Sequence, residues 1–316
     1  MNKQAIKEEL ARLSLVRGVR KLPDNIDFEL NNGKLAIMMT DKGLTSNMQD
    51  DCAAFEGWAI MLKFWLKEKI DSIVIVFNPL DIQDLKPAES QHYQRFLYRL
   101  NKFITTYKWA HYKSDYPIDE YSTRGFVLNT PGSISDVPEA AHKEAQNERK
   151  IVEIKPDYLC ITDHQLPVGV FEGKVDGTKQ IMNSGAIDLW GIDKDVLNIY
   201  ELKIEKNKRV GIITELFFYV NIMNDLMKHR IHYVEKDYED IRSFKVLYEA
   251  YKNKSINKIN GIFLTPSLHP LFFGGYDRTY LDQATVLMKL LDFINDSERL
   301  HSEHIKFAYQ YQKELC

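Results

Sequence analysis

The stretch Gly185 to Ile204, GAIDLWGIDKDVLNIYELKI, constrains this chain more than any other part of it. Two runs rich in β-branched and aromatic residues flank a polar turn, which reads as two strands and a hairpin. Side chains alternate faces along a strand, so Glu201 and Lys203 share one face and Tyr200, Leu202 and Ile204 the other. On the preceding run Ala186, Asp188 and Trp190 share a face. A tight turn closing between Lys194 and Asp195 sets Asp188 directly opposite Glu201. Opposed carboxylates destabilise a sheet, and aliphatic neighbours make both acids costly to leave uncompensated. A divalent cation is the economical compensation: Mg²⁺ takes oxygen ligands, commonly one or two carboxylates, and fills its other positions with water and substrate phosphate. A lysine on the same face orients or deprotonates an attacking water, or stabilises charge developing on a phosphate. The plainer alternative is a salt-bridged group on a half-exposed sheet face.

Composition leaves room for that chemistry. The 316 residues, 44% hydrophobic and 28% charged with only 15 Gly and 10 Pro, suffice for two domains or one large α/β domain. Cys52, Cys160 and Cys316 are odd in number, widely spaced and free of CxxC or Cys/His clustering, which points away from a disulfide framework or a structural zinc. The opening MNKQAIKEELARLSLVRGVRK lacks the apolar core of a signal peptide, and no run approaches a membrane span. The expected setting is the cytoplasm, with no membrane partner. A net charge of −3 argues against non-specific coating of nucleic acid but allows a local basic surface.

Along the chain, residues 3 to 17 have helical composition. IDFELNNGKLAIMMT predicts a hairpin around Asn31-Asn32-Gly33. DDCAAFEGWAIMLKFWLKEK predicts a helix capped by Asp50 or Asp51, SIVIVF a buried strand, residues 89 to 107 a second helix, and GFVLNT a strand. The turn-rich NTPGSISDVPE, with Pro138 in a first helical turn, places a boundary between an N-terminal α/β section (1–130) and a second domain (137–316). Beyond it the pattern predicts a helix over 137–153, strands DYLCIT and LPVGVFEGKV, the hairpin above, and helices over 210–228 and 238–253. Strand INGIFLTP and helices over 279–296 and 299–313 follow.

Asp188, twelve intervening residues, then Glu201-Leu202-Lys203 at the end of an apolar strand, followed by a polar turn and an amphipathic helix, resembles the PD-(D/E)xK nuclease superfamily. The similar region runs from about 137 to 266. The order helix, three strands, helix, strand agrees with that family's restriction-endonuclease-like αβββαβ core, apart from DYLCIT and one inserted helix. Gly185-Ala186-Ile187 stands before the aspartate where the motif's name has a proline. The resemblance implies a metal-dependent nuclease, with Asp188 and Glu201 binding Mg²⁺ or Mn²⁺ and Lys203 as the catalytic lysine. Members also draw an acid from the first helix, where Glu144, Glu148 and Glu153 are candidates and Glu148 is favoured. DNA is the expected substrate, in restriction, defence, repair or a mobile element.

Past the motif, Lys206, Lys208 and Arg209 form a basic turn suited to backbone phosphates. Glu215, near the start of the next helix, is a candidate accessory acid. The N-terminal section carries no catalytic signature. Its expected roles are target recognition, gating, or binding a protein partner or a second copy of the chain. The competing reading is a non-enzymatic interaction protein that keeps a nuclease-like core as scaffold. His301 and His304, three apart in the predicted last helix, read as a solvated face.

Overall fold

The alternation in IDFELNNGKLAIMM folds as the pattern predicts. Strands β1 (Ile26–Asn31) and β2 (Lys34–Met39) pair antiparallel about Asn32 and Gly33, whose φ angles of 47° and 75° match the left-handed turn that suits the twist of a hairpin. The computed structural model describes residues 1–13, 22–133, 143–203, 209–266, 268–272 and 280–312. The chain is mixed α/β and divides into two units. One comprises Met1–Tyr121, Asn207–Glu215 and Ser267–Leu300; the other comprises Ser122–Lys206, Leu216–Pro266 and His301–Cys316. Where the sequence suggests one boundary near 130, the chain crosses at Tyr121–Ser122 and later returns twice to the first unit.

In the first unit, α1 (Lys3–Arg12) precedes the hairpin, and α2 (Asp41–Thr45) and α3 (Phe55–Trp65) lead to β3 (Ser72–Val76). Helix α4 (Pro87–Thr106) then leads to β4 (Ala110–Lys113). The sheet order is β1-β2-β3-β4, with β2, β3 and β4 mutually parallel. Parallel neighbours need crossovers, which α3 and α4 supply. The buried side of the sheet carries Ile26, Phe28, Leu35, Ile37, Ile73 and Ile75, and an aromatic cluster of Phe55, Phe96 and Phe103 joins the core. Helix α3 starts at Phe55 with Ala54 as its cap residue and no side-chain cap, not at Asp50 or Asp51. Those two acids have other uses: Asp50 pairs with Arg209 at 3.0 Å, and the Asp51 carbonyl accepts from Trp58 Nε1 at 2.9 Å.

The second unit begins with β5 (Phe126–Leu128) and α5 (Lys143–Ile154); residues 134–142, where the expected helix starts, lie outside the described residues. Strands β6 (Asp163–Pro167), β9 (Ala186–Asp193), β10 (Val196–Leu202), β12 (Lys258–Thr265) and β13 (Ile305–Tyr311) form a five-stranded sheet in the order β13-β12-β10-β9-β6. Strands β7 (Val170–Glu172), β8 (Gln180–Met182) and β11 (His232–Tyr233) join β5 in a smaller sheet. LPVGVFEGKV is therefore not one strand: it ends β6 and then supplies β7 of the other sheet. DYLCIT is no strand either; it runs against β9, with Thr162 N donating to Trp190 O at 2.8 Å.

That passage explains Gly191, where an added Cβ would lie 1.9 Å from the Cys160 carbonyl oxygen. Gly191→Ala is expected to push backbone from backbone and cost about 3 kcal/mol, read as a lowered denaturation midpoint.

Helix α6 (Gly211–Met227) is buried on nearly every side, rather than along one stripe. Helix α7 (Phe244–Lys252) follows, α8 (Tyr280–Asn295) belongs to the first unit, and α9 (Glu298–Ser302) is short. The predicted helix over 299–313 is thus replaced by α9 and β13. Ile305 and Phe307 are buried while Lys306 between them is exposed, a period of two that pairs β13 parallel to β12. His304 has a left-handed φ of 57° in the intervening turn, so His301 and His304 share no helix face.

Candidate active site

The charged hairpin has the register its alternation predicts. Val196 lies opposite Asp193 and the ladder runs to Tyr200 opposite Leu189, so the next pair outward is Asp188 and Glu201. There the strands part: β9 stays paired with β6 at Ile187–Leu166, while the ladder to β10 ends. Asp188 bridges the parting, its Oδ2 accepting the Leu202 backbone N–H at 2.7 Å in place of a main-chain carbonyl. Strand β10 is held on its other side by β12, with Glu201 opposite Phe263, and the ladder direction is prolonged by Lys203 N donating to Leu264 O at 3.1 Å. Beneath, Ile151 of α5 packs in one cluster with Leu189, Tyr200, Leu202 and Leu264. The helix is thereby fixed against the strands that carry the motif.

The E-x-K spacing does what a period of two requires. Glu201 is 1% exposed and Lys203 7%, and the Lys203 ammonium donates to Glu201 Oε1. The same ammonium lies 3.8 Å from Glu144 Oε1 on α5. One turn further along α5, Glu148 is 2% exposed and accepts from Gln165 Nε2 at 2.6 Å. Burial, and then the negative charge of Asp188, push the Glu148 carboxyl up to about 8; Glu144 adds to the rise, while the Gln165 hydrogen bond and Lys203 oppose it. The structure therefore links these groups in one charge cluster: the Lys203 ammonium contacts Glu201 and Glu144, and Glu148 feels the charges of Asp188, Glu144 and Lys203. Glu153, also on α5, is exposed.

Gln165 escaped the sequence reading. It occupies the β6 position that faces Asp188, between the pairs His164–Leu189 and Leu166–Ile187, and its φ of 47° takes it out of the ladder. Its carbonyl accepts from Arg242 Nη1 at 2.7 Å. The only sequence signal was a polar residue at the start of an apolar run, and the left-handed backbone has no local signature in a glutamine.

The second-rank candidates fall elsewhere. Lys206 and Lys208 lie outside the described residues. Arg209 and Glu215 belong to the first unit, where Arg209 pairs with Asp50 and the buried Glu215 accepts from Gln49 Nε2.

The donor chemistry fits a hard divalent cation: the cluster is all carboxylate oxygen with a surplus of negative charge, and the ammonium on Glu201 is a cation in the place where a metal would bind. Among the described residues, no three His, Cys, Asp or Glu side chains are gathered as a ready-made metal cage. A Mg²⁺ site of two carboxylates completed by water and phosphate asks for no such cage.

Between pH 4.5 and about 8 the folded chain keeps a Glu148 proton that the unfolded chain has lost, so stability falls as pH rises through that window and levels off above it. Glu148→Gln is expected to flatten this slope and to exceed the wild type by a few kcal/mol above pH 8. Thermal melts against pH in the presence of a chelator measure it.

No family model, characterised protein or solved structure matches this chain. No helix among the described residues is long and apolar enough to cross a membrane.

Proposed function

We propose that the chain is a divalent-cation-dependent nuclease of the PD-(D/E)xK type that hydrolyses phosphodiester bonds in nucleic acid, DNA foremost. The observation that carries this reading is the meeting of Asp188, Glu201 and Lys203 with the helix-borne Glu148 at the point where β9 and β10 part. In chain order α5, the antiparallel strands β6, β9 and β10, helix α6 and the parallel strand β12 follow one another, an order that supports a restriction-endonuclease-like core.

Asp188 and Glu201 would hold Mg²⁺ or Mn²⁺, with the Glu148 carboxyl adding negative charge beside them once ionised. A cation bound there polarises the phosphate and lowers the pKa of bound water. Lys203, paired with Glu201 and 3.8 Å from Glu144, orients the attacking water and stabilises negative charge growing on the phosphoryl oxygens. Glu148 loses its proton only near pH 8, so cation affinity rises with pH toward that value.

The test is the purified chain against single- and double-stranded DNA and RNA, with Mg²⁺, Mn²⁺ or chelator. Cleavage that needs the metal is expected. A chain that cuts none of the four and shows no heat of Mn²⁺ binding overturns the reading.

A further inference from the structure

The sheet of the first unit has two unlike faces, and the outer one carries a pattern that the nuclease reading does not use. The strand registers lay two rows across it: Glu29, Ala36, Val74, His111 and Asp27, Met38, Val76, Lys113. Each row runs acid, apolar, apolar, base. Asp27, Glu29, His111 and Lys113 are exposed, Ala36, Met38 and Val76 are half-buried, and Val74 is 8% exposed. Most of these residues line a shallow concavity of about 580 Å³. Edge strand β1 is thus acidic and edge strand β4 basic, and between them both rows are apolar, with exposed Lys34 of β2 at the rim of the concavity; within the chain Asp27 pairs with Lys3 at 3.6 Å.

Such a pattern is self-complementary. We infer that this face is a homodimer interface, on which a second copy of the chain stacks about a two-fold axis parallel to the strands and passing between β2 and β3. That operation lays β1 of each copy over β4 of the other, so acids meet bases at both edges and the apolar pairs Ala36–Val74 and Met38–Val76 meet at the centre. A two-fold across the strands would set acid over acid. A nucleic acid would be repelled by Asp27 and Glu29, and a partner of one sign would suit only one edge. The second copy alone satisfies both.

Four strands about 4.8 Å apart and about 20 Å long present roughly 400 Å² per copy, or roughly 800 Å² in the pair. That lies below the roughly 1,200 Å² at which stable interfaces begin, so the dimer is weak and reversible. Aligned stacking of sheets about 10 Å apart needs no rearrangement of the strands.

Sedimentation velocity of the full chain over a wide concentration range tests this, using Asp27→Lys/Glu29→Lys, His111→Glu/Lys113→Glu and Val76→Glu. The wild type is expected to show a concentration-dependent dimer. Each double variant, now with like charge at both edges, weakens it by about tenfold or more, while an equimolar mixture of the two double variants recovers it. Val76→Glu abolishes association, with or without a mixing partner. The edge positions are exposed, and circular dichroism melts verify folding. A wild type that stays monomeric, reversals without effect, or a mixture that fails to recover the dimer would each overturn the inference.

Discussion

Asp188→Asn and Lys203→Met are each expected to lower metal-dependent cleavage by about 10²–10⁴-fold, and to do so for different reasons. The asparagine side chain keeps an oxygen to accept the Leu202 N–H, so the parting of β9 and β10 survives while a negative charge is lost. Cation binding should fall together with cleavage. Lys203→Met keeps most of the length of the side chain but removes the ammonium that now sits on Glu201. Glu201 is then open to a metal without competition, so Mn²⁺ affinity should hold or rise while cleavage is lost. The two variants are separated by titration calorimetry with Mn²⁺ beside a cleavage assay. A purely structural salt bridge predicts something else: both variants would lose stability, and neither would change metal binding.

How far the sequence could be read depends on whether a residue's partner was local. The β9–β10 register followed from alternation and one polar turn, and a slip of one residue would have pointed Asp188 and Glu201 to opposite faces. Asn32 and Gly33 announced their hairpin by tolerating positive φ. Glu148 was a candidate only because the family resemblance implies an acid on the first helix. The misses share a long-range cause. Asp50 and Asp51 look like caps, yet Arg209, far along the chain, takes one of them. Ile305 to Phe307 alternates, but Ala308 breaks the pattern, and only pairing with β12 decides for a strand. The split of LPVGVFEGKV between two sheets, and the left-handed Gln165 facing Asp188, are set by packing that no short window contains.

Arg99→Ala, or Glu56→Ala, is expected to cost about 3–5 kcal/mol and to leave metal-dependent cleavage by the folded chain unchanged. Arg99 of α4 is 2% exposed and Glu56 of α3 fully buried, and they meet in a two-pronged pair: Nε to Oε1 at 2.8 Å and Nη2 to Oε2 at 2.5 Å. Nη2 also donates to the Ala53 carbonyl at 2.7 Å, Thr214 Oγ1 donates to Glu56 Oε2 at 3.2 Å, and the guanidinium lies 5.1 Å from the Phe55 ring centre. Desolvating two ions is costly, and the pair offsets that cost only while both members are present. Truncating one strands the other charge in a dry core, whereas replacing both by apolar residues of similar size, Glu56→Leu with Arg99→Met, removes both desolvation terms. The double variant is therefore expected to be far more stable than either alanine variant. A double-mutant cycle by denaturant unfolding gives the coupling, and the single variants should melt about 10 °C below the wild type. Metal-dependent cleavage, measured well below those melting temperatures, should stay within a few-fold of the wild type. That separation, stability lost in the first unit with chemistry kept in the second, is what a purely structural ion pair predicts, and an equal loss of cleavage in the folded variants would assign Arg99 and Glu56 to the reaction instead.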